Sequence, residues 1–289
     1  MFLKGAEYRD NFLFKMMKKL YFTAEILLPF VRYSFIIMLI CCWEGYLLAE
    51  VIAIVSGKGG TGKTSLCAGL AQALAAGGRT VLCIDCDVGL RNLDIALGIS
   101  HLGALSFQEA VDYGVENAAE HPDFRSLSFL TAPMNCPVDD IDTEEFGTLL
   151  ARARERFEYI LLDAPAGIEA GFRLAARYAD RVLVVTGADP ASIRDAACAG
   201  QRLHEMGKRN VRIIVNRIDP KTVRAMGLTV DDIMDRAGLP LLGIVPEDPQ
   251  VVLAAAFEKP LLLQTKKGAA AACRRIAQRI QGMKVPVSL

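Results

Sequence analysis

The sequence predicts a doubly wound α/β domain built on a mostly parallel sheet. Three observations carry this. Short, almost continuously apolar runs recur along the chain, alanine-rich stretches with helical patterning separate them, and the first run leads straight into a glycine-rich loop. Strands buried on both faces read as unbroken apolar runs, and their alternation with helices marks the crossover connections of a parallel sheet.

In chain order the apolar runs are Val51–Val55, Thr80–Ile84, Leu127–Leu130, Tyr159–Leu162, Arg181–Val185, Val211–Val215 and Leu241–Val245. Helical stretches are expected near Lys63–Ala76, Thr143–Phe157, Ala170–Tyr178, Ala191–Met206, Val230–Ala237 and Gly268–Gly282. No linker, low-complexity tract or repeat interrupts residues 49–289, which read as one domain. With 289 residues and 52% hydrophobic content the chain can bury a large core. A formal net charge of +0 gives no reason to expect a nucleic-acid protein.

Residues 1–48 are composed differently. They hold six of the 13 Phe and four of the 7 Tyr, and their basic residues are mostly lysine. The uncharged run Tyr33–Trp43 is shorter than the roughly 20 apolar residues of a membrane span. A signal peptide fits no better, because the apolar stretch starts late and no small-residue cleavage site follows. Trp43-Glu44-Gly45 is encoded TGG-GAR-GGN, which contains the ribosome-binding sequence GGAGG if Glu44 uses GAG. Leu47 or Leu48 can then be a TTG start codon. The expectation is therefore a leader that is not translated, with the protein proper starting near Ala49, the alternative being a weak interfacial membrane segment; the codons at Glu44, Leu47 and Leu48 decide it.

Of the eight cysteines, Cys41, Cys42, Cys67, Cys83, Cys198 and Cys273 sit in apolar or helix-like stretches. That suits reduced thiols packed as small hydrophobes in a cytoplasmic protein. Cys83 and Cys86 form a C-x-x-C. In an extended chain residues three apart face opposite ways, so the pair is expected to share neither a metal nor a bridge.

The first run leads into Gly57-Lys58-Gly59-Gly60-Thr61-Gly62-Lys63-Thr64, a full match to G-x-x-x-x-G-K-[ST] in strand–loop–helix context. Glycines let backbone N–H groups turn inward around a phosphate, and the following helix adds its positive end. Residues Gly57–Ser65 are the expected nucleotide-binding loop, with Lys63 on the β- and γ-phosphates and the Thr64 hydroxyl on Mg²⁺. The segment from Lys58 to Thr64 resembles, at every position, the deviant Walker A signature of the MinD/ParA family of P-loop ATPases. In that family the first lysine crosses a dimer interface to the partner's nucleotide, so the resemblance implies a catalytic role in trans for Lys58.

Two strand ends carry acids. Asp85-Cys86-Asp87 places two carboxylates on one side of the chain, where ligands of open α/β sheets bind. From Asp85 to Asp94 the sequence looks like the first switch of MinD proteins. By that resemblance Asp87 orients the attacking water and Asp85 supports the magnesium shell. Tyr159–Asp163 has the Walker B form, four apolar residues and then an acid that holds magnesium's water ligands. Ala164–Glu169 resembles the second switch, with Gly167 free to approach the γ-phosphate and rearrange.

Asn216, Arg217, Pro246, Glu247 and Asp248 end the last strands, and equivalent segments hold adenine in MinD-like proteins. The absence of an Asn-Lys-x-Asp guanine motif favours ATP over GTP. The resemblance covers roughly residues 50–289. It implies an ATP-hydrolysing switch that dimerises around two ATP molecules, helps place the division septum and meets a MinC-like or MinE-like partner. The alternative is a ParA-like DNA-partitioning ATPase or a regulator of flagellar number. MinD proteins normally continue into a C-terminal amphipathic membrane helix, whereas this sequence stops at Val285-Pro286-Val287-Ser288-Leu289. The helix Gly268–Gly282 has a basic side (Arg274, Arg275, Arg279), but its apolar side is small, so core packing is expected and the arginines are expected to be solvated. Peripheral membrane binding is accordingly not expected to be strong.

Overall fold

The computed structural model describes residues 49–134 and 140–288. The leader, and with it the readings on its translation and membrane character, lies outside the described residues. The described chain forms one unit. Its strands are β1 (Glu50–Ser56), β2 (Val81–Asp85), β3 (Ala119–Glu120), β4 (Leu127–Leu130), β5 (Tyr159–Ala166), β6 (Arg181–Thr186), β7 (Val211–Ile218) and β8 (Leu241–Pro246). They form one sheet in the order β3-β4-β2-β5-β1-β6-β7-β8. All pairings are parallel except β3 against β4.

The helices are α1 (Lys63–Ala76), α2 (Leu93–Leu97), α3 (Glu109–Tyr113), α4 (Thr143–Ala153), α5 (Ala170–Arg177), α6 (Pro190–Glu205), α7 (Pro220–Ala225), α8 (Val230–Ala237), α9 (Pro249–Ala256), α10 (Leu261–Gln264) and α11 (Gly268–Ile280). Strand residues alternate between two cores, one on each face of the sheet. Val51, Ala53 and Val55 pack with Phe146 of α4, Phe172 of α5 and Ile193 of α6. Ile52 and Ile54 pack with Leu70 of α1, Leu97 of α2 and Ile276 of α11. Each fully buried Ile or Leu contributes roughly 1.5–3 kcal/mol, so this two-sided burial is what fixes the strand positions. Cys86 lies in the first core and Cys83 in the second, on opposite faces as the spacing requires.

Helix α11 packs its apolar side as expected, with Cys273, Ile276 and Ile280 buried. Its basic side does not behave as expected. Arg274 donates to the Leu262 carbonyl, Arg275 to Ser288, and Arg279 to Leu242, Val285 and Pro286. The three guanidiniums tie α10, β8 and the last described residues to α11, because a planar fork can serve several carbonyls at once. Among the described residues, no helix is long and apolar enough to cross a membrane.

Candidate functional site

The site lies at the carboxyl edge of the sheet, where β1 hands over to α1. Residues 57–62 form a loop whose tightness depends on two glycines. At Gly57 a Cβ would stand 2.3 Å from the Asp195 carbonyl of α6, so only hydrogen fits. Gly62 has φ +83°, and a Cβ there would be 2.5 Å from the Asn216 amide nitrogen. Helix α1 starts directly after Gly62 with no side-chain cap and no acid in its first turn. Its N-terminal N–H groups therefore remain free for an anion.

Lys63 is the first helical residue and is 8% exposed. Burial lowers its pKa, while Asp163 and Asp87 pull it back up. Lys58 is different: its side chain is 47% exposed, with Nζ 3.8 Å from Asp189. Two lysines five positions apart thus occupy opposite environments, one beneath the loop and one on its rim.

Beside the loop, β2 and β5 bring two acids together, since Asp85 is the register partner of Asp163. Both are 1% exposed. Burial raises Asp163 to about 8, helped by Asp85. Burial likewise raises Asp85 to about 6, against three backbone N–H donors. Those donors are Asp87, Asn92 and Leu93. Both Asp85 oxygens are thus committed to the backbone of residues 87–93, and Asp85 shapes that loop instead of facing a metal directly. Asp87 is half-buried, and its pKa is raised by burial and lowered by Lys63.

Asp163 fits a cation. It accepts a hydrogen bond from the Thr64 side chain, while its buried Oδ1 has no partner among the described residues. A buried carboxylate oxygen without a partner is costly unless a ligand or water completes it. No group of three or more His, Cys, Asp or Glu among the described residues could hold a metal alone. Gly167, with φ +93° and open space around its α-carbon, donates its N–H to Ser56 at the mouth of the loop.

A cleft runs from the loop between β6, β7 and α7. It is lined by Lys58, Gly60, Thr61, Asp189, Arg217 and Glu247 among others. Of the expected base contacts, Arg217 and Glu247 reach this cleft. Asn216 is buried against the loop and donates to the Thr61 carbonyl at 2.8 Å. Asp248 corrects the reading from sequence: it caps α9 by accepting from Gln250 and also accepts from Ala269, so its carboxylate serves helix ends. Pro246 simply ends β8. The sequence reading missed Asp189, Ser192, Asp219 and Thr222, which line the same cleft. Their signal was present: Asp189-Pro190, Asp219-Pro220 and Asp248-Pro249 are each an N-cap followed by proline at the start of a helix.

Across known proteins, the CobQ/CobB/MinD/ParA nucleotide binding domain matches residues 52–261. The chain belongs to this MinD/ParA family. Within it, the septum site-determining protein MinD of Synechocystis is 34% identical over 245 residues, 82% of this chain and 91% of that protein. The MinD of Bacillus subtilis is 32% identical over 248 residues, 84% and 92% of the two chains. Among solved structures, a MinC:MinD cell division protein complex from Aquifex aeolicus superposes with TM-score 0.77 at 37% identity, over 83% of this chain and 99% of that one. A Pyrococcus horikoshii MinD complexed with Mg-ADP gives 0.71 at 26% identity, covering 80% and 96%. The eight-stranded sheet and the loop between β1 and α1 are thus those of a P-loop ATPase family, on its MinD branch.

Proposed function

We propose that this chain is a MinD-like ATPase that binds Mg-ATP at residues 57–65, hydrolyses it to ADP and phosphate, and acts as a dimerising switch in placing the division site. The observation that carries the reading is the contrast between the two lysines: Lys63 is buried beneath the loop, while Lys58 stands half-exposed on its rim. A lysine serving its own nucleotide belongs beneath the loop, and one reaching another subunit's nucleotide belongs on the rim.

Each residue then has a task. The inward N–H groups of the loop and the start of α1 hold the phosphates, and Lys63 adds charge at the β- and γ-positions. Thr64 and Asp163 would hold a magnesium ion, whose charge would offset that developing on the phosphate oxygens. Asp87 accepts a hydrogen bond from the attacking water and aims it. Asp85, with its grip on the N–H groups of residues 87, 92 and 93, holds Asp87 in place. Lys58 of one protomer meets the γ-phosphate of its partner, and Gly167 lets the second switch relax once phosphate leaves. Arg217 and Glu247, which line the cleft beside the loop, would receive the base. The partner is of the MinC or MinE kind; the MinC:MinD complex of the Aquifex protein supports the first, and the second rests on the family resemblance alone.

Light scattering of the purified chain tests the reading. The mass should double with a slowly hydrolysed ATP analogue and Mg²⁺, stay monomeric with ADP, and not respond to the GTP analogue. A mass indifferent to nucleotide refutes the switch.

A further inference from the structure

A phosphate-binding loop points its N–H groups inward, so its carbonyls point outward and need donors of their own. Four of the six carbonyls of residues 57–62 have them here. The Ser56 hydroxyl serves the Lys58 carbonyl at 2.6 Å, and the Leu66 N–H of α1 serves Gly62. The remaining donors come from β7, 155 and 157 residues further along the chain. Asn216 Nδ2 donates to the Thr61 carbonyl at 2.8 Å, and the Arg217 guanidinium donates to the Gly60 carbonyl at 3.3 Å.

Neighbouring residues on a strand point to opposite faces, yet Asn216 and Arg217 reach the same loop. The backbone makes this possible. The pairing of β7 with β8 slips register between Val215 and Ile218, and Arg217 has φ +58°, unusual for a residue with a side chain. Register slips and left-handed non-glycine residues persist where they re-aim a side chain and something holds them. What holds this one is a two-point ion pair between Arg217 and Glu247, at 2.7 and 3.1 Å. Asn216 in turn is 7% exposed and packed where a Cβ on Gly62 would collide with it.

We infer that Asn216 and Arg217 are positioning residues of the phosphate loop: they hold its outward carbonyls so that its N–H groups face the phosphates whether or not a base is bound. The inference rests on the nucleotide reading above and deepens it, because residues assigned to the base end also set affinity at the phosphate end. Without the Asn216 donor, the Thr61 peptide turns toward water in part of the population. Apparent affinity falls by the fraction of loops still correctly shaped.

The test compares ATP with inorganic tripolyphosphate, which has three phosphates and no base, by calorimetric titration with Mg²⁺. Asn216→Ala and Asn216→Leu, the latter close in size but unable to donate, should weaken both ligands by the same factor, about tenfold. Arg217→Met, which removes both the donor to Gly60 and the ion pair with Glu247, should weaken both by about threefold. Circular dichroism confirms that each variant is folded. If ATP weakens while tripolyphosphate binding is unchanged, the residues read the base alone and the inference is overturned. It is also overturned if neither ligand weakens, or if the parent binds ATP but not tripolyphosphate. A parent that binds neither ligand overturns the nucleotide reading itself, and this inference with it.

Discussion

Replacing Lys58 by alanine separates binding from chemistry. In the monomer the lysine does little: its side chain is 47% exposed, and its acidic neighbour, Asp189, is 3.8 Å away and 52% exposed. Such pairs contribute about 0–1 kcal/mol. For a domain of this size that is a melting shift of no more than about 4 °C. Asp189 keeps its own role, since its carboxylate is held by Ser192 at the start of α6. Ground-state binding should also survive, because Lys63, Thr64 and the loop N–H groups are untouched. ATP affinity should change by less than about threefold, the scale of a weak surface charge. Turnover is another matter. Removing one charge that meets the transferring phosphoryl group costs about 10²–10³ in rate. Steady-state phosphate release at saturating ATP, beside calorimetric titration of the same variant, measures both quantities. A rate within about threefold of the parent, or a rate loss matched by an equal loss of affinity, would refute a role in trans for Lys58.

Other expectations follow from the same geometry. Lys63→Ala should abolish measurable ATP binding in calorimetry, because it removes the charge beneath the β- and γ-phosphates. Asp87→Ala should bind ATP and stay dimeric in light scattering while phosphate release stops, since the phosphate cradle is intact and the water is not aimed. Asp163→Asn should stabilise the nucleotide-free chain while ending magnesium-dependent turnover. Its carboxyl is raised to about 8, so the folded state keeps a proton that the unfolded chain loses near pH 4. Stability therefore falls as pH rises from about 4 to about 8; thermal melts of the variant should lack that slope. His121 runs the other way. It is 1% exposed, its Nδ1 accepts from Asp123, Nε2 meets the Leu97 carbonyl at the end of α2, and burial lowers its pKa. Its contribution is complete above the ordinary histidine pKa of about 6.5 and is lost as pH falls below it. Melting should fall more steeply from pH 6.5 to 5 in the parent than in His121→Gln.

The sheet was legible because its strands are buried on both faces. Seven apolar runs became seven strands, and the two-residue β3 has too little sequence to show itself. Boundaries moved where chemistry overrides hydropathy. β5 runs on through Asp163 to Ala166, because its pairing with β1 continues past the acid. The helix from Thr143 stops at Ala153 and not near Phe157. Helices α7 and α9 were unread, although their Asp-Pro starts are explicit, because α7 has only six residues and α9 runs through Val251-Val252-Leu253-Ala254-Ala255-Ala256, apolar without a helical period. In the site, the loop and the acids followed from residue type and spacing. The carbonyl-side support by Asn216 and Arg217 did not, because no local pattern reveals a register slip 155 residues from the loop it serves.

The distribution of caps along the carboxyl edge explains why an anion should settle at one place on it. Six helices follow directly from strands there: α1, α2, α5, α6, α7 and α9, after β1, β2, β5, β6, β7 and β8. Every helix start carries partial positive charge and unpaired N–H groups. At α6, α7 and α9 an aspartate side chain fills that end, Asp189, Asp219 and Asp248 in turn. At α2 it is filled by Asp85, which accepts from Asn92 and Leu93. That leaves α1 and α5, which have no side-chain cap. These are the helices that follow the glycine-rich loop and Gly167, on either side of the step where Gly167 meets Ser56. Four protein carboxylates occupy the ends where no phosphate is to bind, and the two open ends converge on the place where the γ-phosphate is proposed to sit. Selectivity for a polyphosphate thus comes as much from acids that close the wrong helix ends as from the glycines and lysine that open the right one.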